Sequence, residues 1–231
     1  MFEVTELLSA SRAERCRFRL KRRFLREGSE VPSMADGLLL RDSNLEVRAA
    51  ILEHHTPCLA FALQEPVHVN NWKARLDASG LPVGPWLRTF KAALAGNACG
   101  DRTIEIEGRR DGRTVARRLT LAELRAMDLA TLTPGQKIGY VTDAAFTPAN
   151  AAAIEALVRG AGLLFIEAPF RHADAAIAAD RAHLTTWQAG ALARRAGVRR
   201  LEPFHFSPRY SGEENALVAE VMESFAGRPP D

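Results

Sequence analysis

Apolar and polar residues alternate along the first part of the chain with a period of two, the pattern of half-buried β-strands. Turn residues such as Asp-Gly and Asp-Ser-Asn separate these runs, which lie at residues 2–7, 37–41, 45–52 and 59–65. We therefore predict that the first sixty or so residues are rich in β-structure.

The pattern changes further along the chain, where strand-like runs alternate with segments of helical periodicity. The predicted strands are residues 137–141, 163–167 and 199–206. The predicted helices are residues 148–159 and 185–196, and a last one that begins near Ser211 and ends at residue 225. Such alternation is typical of a sheet with helices packed on it. The chain as a whole is predicted to have a mixed α+β or α/β fold.

The middle of the chain interrupts this scheme. Residues 70–95 combine short helical patterns with the turn-rich segment Gly80-Leu-Pro-Val-Gly-Pro85, and we interpret them as an insertion with its own small apolar patch. A tight surface loop is the alternative for the Gly-Pro segment. A hairpin at residues 101–119, turning at Asp111-Gly112, and a short helix from Leu121 are predicted to follow.

Composition bounds the class of protein. A chain of 231 residues with 47% apolar content can fill a core. It contains no apolar run of about 18 residues and no basic, apolar and small-residue leader, so a soluble, cytoplasmic protein without membrane contact is expected. The cysteines, Cys16, Cys58 and Cys99, are odd in number and lack C-x-x-C spacing, which predicts reduced structural thiols.

Cationic residues are concentrated between Arg12 and Arg26, where the sequence shows little opposing acid, although the formal net charge is only +3. Two interpretations remain open. The patch either attracts phosphate or is the solvated face of a half-buried strand, since Cys16, Phe18 and Leu20 alternate with the cations.

Three residues stand at or just past the ends of predicted strands: His54, Asp143 and His205. Side chains at such positions converge in one cleft, and imidazole and carboxylate are suitable zinc ligands. Each also has a structural alternative. A histidine beside a proline can be a satisfied turn residue, and Asp143 can cap the helix that follows it.

With their flanking residues, these positions resemble motifs of the ribonuclease Z branch of the metallo-β-lactamase superfamily, which removes the 3′ trailer from precursor tRNA. The matching segments, in chain order, are His54-His-Thr-Pro57, Gly84-Pro-Trp86, Tyr140-Val-Thr-Asp143, Glu167-Ala168, His183-Leu-Thr185 and His205-Phe-Ser-Pro-Arg-Tyr210. The resemblance implies the C-terminal portion of an αββα sandwich, with residues 70–95 as its Gly-Pro arm.

The resemblance also implies a role for each residue. His54 would bind one of two zinc ions, His205 the other, and Asp143 would bridge them. Glu167 and His183 would form a catalytic pair in which the histidine protonates the leaving oxygen.

Precursor tRNA is the substrate that the resemblance implies. Gly84 and Pro85 of the arm would contact it, as would Arg209 of the last motif.

The chain departs from the family pattern in three places. Ile166 and Leu184 replace residues that are usually a histidine and a serine. More seriously, no H-x-H-x-D-H motif occurs, although it supplies three of the family's histidine ligands. We therefore expect an incomplete sandwich and half of a metal site, with weak or absent zinc binding by this chain alone.

Several explanations stay open for this incompleteness. The chain is a fragment of a longer product, pairs with a separate N-terminal half or a second copy of itself, or has repacked for another role. The alternative functions are a non-catalytic remnant that binds RNA or protein, and a related metallohydrolase that acts on another ester.

Overall fold

The computed structural model describes residues 1–9, 11–30, 37–110 and 112–228. The chain divides into two compact units, Met1–Gln64 with Gln136–Asp231, and Glu65–Gly135. The strands are β1 Phe2–Ser9, β2 Arg12–Phe18, β3 Arg26–Glu30, β4 Leu38–Arg41, β5 Glu46–Leu52, β6 Cys58–Gln64, β7 His68–Asn71, β8 Thr103–Arg110, β9 Arg113–Thr120, β10 Ala130–Thr133, β11 Lys137–Val141, β12 Leu163–Glu167 and β13 Leu201–Phe204. The α-helices are α1 Lys73–Ala78, α2 Trp86–Ala95, α3 Leu121–Ala126, α4 Pro148–Val158, α5 Ala175–Asp180, α6 Thr186–Arg195 and α7 Glu214–Phe225.

The first unit is built on a six-stranded sheet in the order β13-β12-β11-β6-β5-β4. Strands β11, β12 and β13 are parallel, and the remaining neighbours pair antiparallel. Helices α4, α6 and α7 pack on this sheet, as the alternating pattern predicts. The predicted mixed α/β layer is confirmed.

One face of the sheet forms the core. Alternate side chains of the central strands, among them Val141, Leu164 and Ile166, are buried beneath the helices. Gly190 lets α6 approach α7 closely, because a Cβ at this position would lie only 2.4 Å from the carbonyl oxygen of Val221. Apolar burial on this side accounts for the stability of the layer.

The opposite face of the same sheet is apolar and exposed. Ile138 pairs with Leu63, and these side chains are 36% and 38% exposed. Tyr140 is 42% exposed and stacks on Phe204 with ring centroids 5.2 Å apart. Side chains of this kind normally pack against a second layer. The exposed face agrees with the expectation of an incomplete sandwich.

The N-terminal strands β1, β2 and β3 form a separate antiparallel sheet. The half-buried strand suggested by the alternation of Cys16, Phe18 and Leu20 is shorter in the structure. Strand β2 ends at Phe18, and a 3₁₀ turn occupies Leu20–Arg22. Arg23 and Phe24 then adopt positive φ angles of 51° and 56°, which no strand accommodates.

The expectation that these cations meet little acid is wrong. Arg17 bonds Glu3 at 2.8 Å, and Arg26 lies 2.8 Å from Glu6 and 3.1 Å from Glu14. These ion pairs could not be predicted from the sequence, because strand pairing brings together residues that are distant along the chain.

The second unit has its own core, which includes Trp86, Phe90, Ile104 and Ile106. It contains the β8–β9 hairpin, the β7–β10 ribbon and helices α1 to α3. The hairpin is confirmed, although Asp111 of its predicted turn lies outside the described residues. The ribbon was not predicted. A Cβ on Gly84 would lie 2.5 Å from the carbonyl oxygen of Glu107, so only glycine permits this close approach.

Candidate metal centre

The topology brings the predicted site residues to one edge of the six-stranded sheet. Strands β5, β11, β12 and β13 run in the same direction, so their C-terminal ends meet there. His54 follows β5, Asp143 follows β11, Glu167 ends β12, and His205 follows β13. The capping alternative for Asp143 is wrong, since Thr147 caps α4.

Three of these side chains form a cluster with His183, and His54 is not part of it. Asp143, Glu167, His183 and His205 each offer a ligand atom, and these atoms lie within 4.8 Å of one another. Nδ1 of His205 is 3.1 Å from Oδ1 of Asp143 and 3.2 Å from Oε2 of Glu167. Nδ1 of His183 is 2.8 Å from the same Glu167 oxygen. Two carboxylates and two imidazoles are a donor set that suits zinc.

Glu167 organises the cluster from a fully buried position. Its Oε1 accepts hydrogen bonds from the backbone N–H groups of Ala144 at 3.0 Å and Leu184 at 3.1 Å. Oε2 faces the two histidines. Because a buried carboxylate is costly unless it is hydrogen-bonded, these contacts fix Glu167 as a fully partnered acceptor.

The hydrogen bonds also fix the tautomers of the histidines. Nδ1 of His54 is 2.8 Å from the carbonyl oxygen of Ala182, and Nδ1 of His183 and of His205 face carboxylates. Carbonyl and carboxylate oxygens only accept, so each Nδ1 carries the hydrogen and each Nε2 is left for another partner. A metal-binding histidine commonly donates its second ring N–H to such an oxygen.

Two pKa shifts reflect this surrounding charge. The hydrogen bond to Glu167 raises the pKa of His183 above its usual value, against the opposing effect of burial. Burial, and then the charges of Asp143 and Glu167, raise the pKa of the Cys58 thiol. In the metal-free chain these effects favour the neutral thiol of Cys58.

A cavity of about 420 Å³ adjoins the cluster. His54 and His183 line this cavity together with Arg209, a residue predicted from the sequence to bind RNA. His55 and Arg181 also line it, although the sequence alone did not identify them as site residues. The other two RNA-binding candidates, Gly84 and Pro85, belong to the second unit, immediately before α2.

Asn150 is a site residue that sequence reasoning missed. Its buried side chain accepts from the N–H of Glu53 at 2.8 Å and donates to the carbonyl oxygens of Glu53 and Ala145, each at 2.8 Å. It thereby joins the loop of His54 to the loop of Asp143. The only signal in the sequence is an asparagine inside the first turn of a helix, where it is a poor helix former.

Comparisons with known proteins agree with this geometry. The family model described as a β-lactamase superfamily domain matches residues 117–206. The chain is 36% identical to a ribonuclease Z of Deinococcus radiodurans over 84% of its own length and 54% of the relative's, and 31% identical to one of Synechocystis over 82% and 53%. The solved structure of human tRNase Z, short form, aligns with 75% of this chain and with 41% of its own chain, at 20% sequence identity. Its TM-score of 0.42 is too low to bear on the fold.

Residues 117–206 are thus similar to a β-lactamase superfamily domain, and this range includes strands β11 to β13 of the six-stranded sheet. The chain is also similar in sequence to ribonucleases Z, and it spans about half the length of the curated relatives it matches. No helix in the described part of the chain is both long and apolar enough to cross a membrane.

Proposed function

We propose that this chain carries part of the active site of a ribonuclease Z-type endonuclease, which removes the 3′ trailer from precursor tRNA in the cytoplasm. The observation that carries the proposal is the convergence of Asp143, Glu167, His183 and His205 within 4.8 Å. The ribonuclease Z relatives support the choice of reaction and substrate.

Two zinc ions are the proposed cofactor, held by Asp143 and His205 of the cluster together with His54, which lies outside the cluster of four. In this assignment His54 would hold one ion and His205 the other, and Asp143 would serve both because a carboxylate has two oxygens. Bound zinc would supply charge stabilisation for the phosphodiester and activate water. The hydrogen bond from His54 to Ala182 supports this role, since it orients the imidazole before any ligand arrives.

Glu167 and His183 form the proposed acid pair. Glu167 holds Nδ1 of His183 at 2.8 Å, and the interaction favours the protonated imidazole. Nε2 of His183 then carries a proton toward the cavity. In the proposed reaction this proton is transferred to the leaving ribose oxygen. Glu167 orients the ring and is a positioning residue.

Gly84 and Pro85, in the second unit, would contact the body of the tRNA, and Arg209 would contact a phosphate beside the cluster. The non-catalytic RNA-binding alternative has weaker support. It relied on the cations between Arg12 and Arg26, several of which pair with glutamates.

The proposed enzyme needs more ligands than this chain provides. A catalytic zinc ion normally has about three protein ligands, whereas His54, Asp143 and His205 would be shared by two ions. The exposed sheet face around Ile138 and Tyr140 supports a second layer as their source. We propose that a polypeptide bearing H-x-H-x-D-H packs on this face, in preference to a second copy of the chain, which has the same half of the ligand set.

A reconstitution experiment tests the proposed function. The chain is mixed or co-expressed with the complementary part of the Deinococcus radiodurans relative, and cleavage of a precursor tRNA is followed with and without zinc. We expect zinc-dependent release of the 3′ trailer by the mixture only. Asp143→Asn should abolish cleavage, and the matched surface variant Glu202→Gln should not. Failure of the mixture to form a complex and cleave, while the intact relative is active, would overturn the proposal.

A further inference from the structure

The cavity beside the cluster is lined by cationic and neutral side chains. Its polar and ionisable wall consists of His54, His55, Arg181, His183, Ser207 and Arg209, and its apolar wall of Phe170 and Ile177. Among the described residues, no carboxylate belongs to its lining. Asp174 and Asp180 lie near the two arginines but do not line the opening, so the two guanidinium groups give the lining itself a positive potential that attracts anions.

Within the described part of the chain, neither arginine of the cavity is held in a short ion pair. Nε of Arg181 is 4.0 Å from Asp180, and a terminal nitrogen of Arg209 is 3.9 Å from Asp174. Both distances exceed hydrogen-bond length. By contrast, Arg195 bonds Glu155 at 2.6 Å on the surface of the same unit. The guanidinium N–H groups of Arg181 and Arg209 therefore retain capacity for an added anion.

Both arginines are attached to segments that also position the site histidines. Arg181 follows α5 and precedes Ala182, whose φ is 57° and whose carbonyl oxygen accepts from His54. Arg209 lies in the 3₁₀ turn Pro208–Tyr210, where its N–H donates to Oγ of Ser207 at 3.4 Å. The cavity is thus held at a fixed place relative to the metal ligands.

We infer that Arg181, together with Arg209, binds a phosphate of an RNA strand next to the one that reaches the metal cluster. This inference rests on the proposed function and deepens it, since it identifies Arg181 as a residue that positions the strand. Guanidinium groups bind phosphate oxygens through paired N–H donors. The exposed ring of His55 provides a flat surface of the kind on which a neighbouring base stacks.

The test measures binding of a fluorescent single-stranded RNA of about twelve nucleotides to the full chain, with EDTA present so that no metal contributes. Affinity is determined at several salt concentrations. One phosphate contact in single-stranded nucleic acid contributes about 0.7 to the slope of log K against log salt. We expect Arg181→Ala to lower this slope by about 0.7 and to weaken binding several-fold, and Arg181→Lys to keep most of the slope.

Arg195→Ala is the matched control, because it removes a cation from the same unit but not from the cavity. Wild-type slope and affinity in both Arg181→Ala and Arg209→Ala would overturn the inference, as would absence of RNA binding at low salt. Competition by millimolar inorganic phosphate as strong as that by unlabelled RNA would also overturn it, since it would indicate a free-phosphate site. Binding is measured without metal, so failed cleavage in the reconstitution does not change this outcome.

Discussion

Removal of the Asn150 side chain should loosen the candidate metal centre although Asn150 touches none of the proposed ligands. The amide accepts from the Glu53 N–H and donates to the carbonyl oxygens of Glu53 and Ala145. Glu53 precedes His54, and Ala145 lies two residues after Asp143. Asn150→Ala therefore removes the side-chain links between the loops that carry His54 and Asp143, and leaves in place the backbone hydrogen bond from Ala145 to Glu53.

The expected cost follows from the contacts that are lost. Three hydrogen bonds disappear, each with a net contribution of about 1 kcal/mol, so the local free energy of opening should fall by about 3 kcal/mol. In the variant, the carbonyl oxygen of Glu53 still accepts a hydrogen bond from the N–H of Ala145 at 2.9 Å. The N–H of Glu53, however, loses its acceptor, which is the side chain of Asn150. About 3 kcal/mol corresponds to roughly a hundred-fold change in an opening equilibrium.

Amide hydrogen exchange read by NMR is the direct assay. In Asn150→Ala, exchange at Glu53 should accelerate by about two orders of magnitude, while Ala62 in the middle of the sheet keeps its protection. The NMR signals of the His54 ring nitrogens should show that the hydrogen bond from this ring to the carbonyl oxygen of Ala182 is lost. Thr147→Ala is the matched control, since it removes the N-cap of α4 but not the contacts to Glu53. Equal exchange at Glu53 in both variants would refute the reasoning.

Three further predictions concern packing, pH and the exposed face. Gly190→Ala should lower the melting temperature by several degrees, because the new Cβ would lie 2.4 Å from the Val221 carbonyl oxygen and overpacking typically costs about 1–3 kcal/mol. Because the pKa of His183 is raised in the folded state, this histidine should stabilise the metal-free chain fully below about pH 6.5, and progressively less as the pH rises through its folded-state pKa. Urea denaturation in EDTA measures the free energy of unfolding at each pH. This pH dependence should disappear in Glu167→Gln. The exposed apolar face should make the isolated chain self-associate in sedimentation velocity, and Leu63→Lys should reduce this association at an unchanged melting temperature. Unchanged association would show that this face does not mediate it.

The sequence predicted the sheet of the first unit well because its signals are local. The predicted strands at residues 137–141 and 163–167 coincide with β11 and β12. The third was too long at both ends, since β13 spans Leu201–Phe204 and His205 adopts a φ of 63°. Periodicity identifies a strand but does not reveal the backbone turn that ends it.

Elements that depend on distant partners were missed. Strands β7 and β10 pair Asn71 with Ala130, and neither is long enough to show a clear alternation. Helix α5 is only six residues long, too short for helical periodicity to emerge. The role of Asn150 was missed for the same reason, because its side chain contacts Glu53, which is 97 positions away in the sequence.

The incomplete ligand set and the exposed apolar face follow from one arrangement of strands. Along β11 and β12, alternate side chains point to the helices or to the exposed face, and the strand ends carry Asp143 and Glu167 to a shared edge. A second layer on the exposed face would extend toward that edge and cover the apolar side chains there. The proposed partner would therefore supply the missing ligands and bury the sheet in the same step. Zinc binding and association should then be thermodynamically linked, each strengthening the other by the same factor.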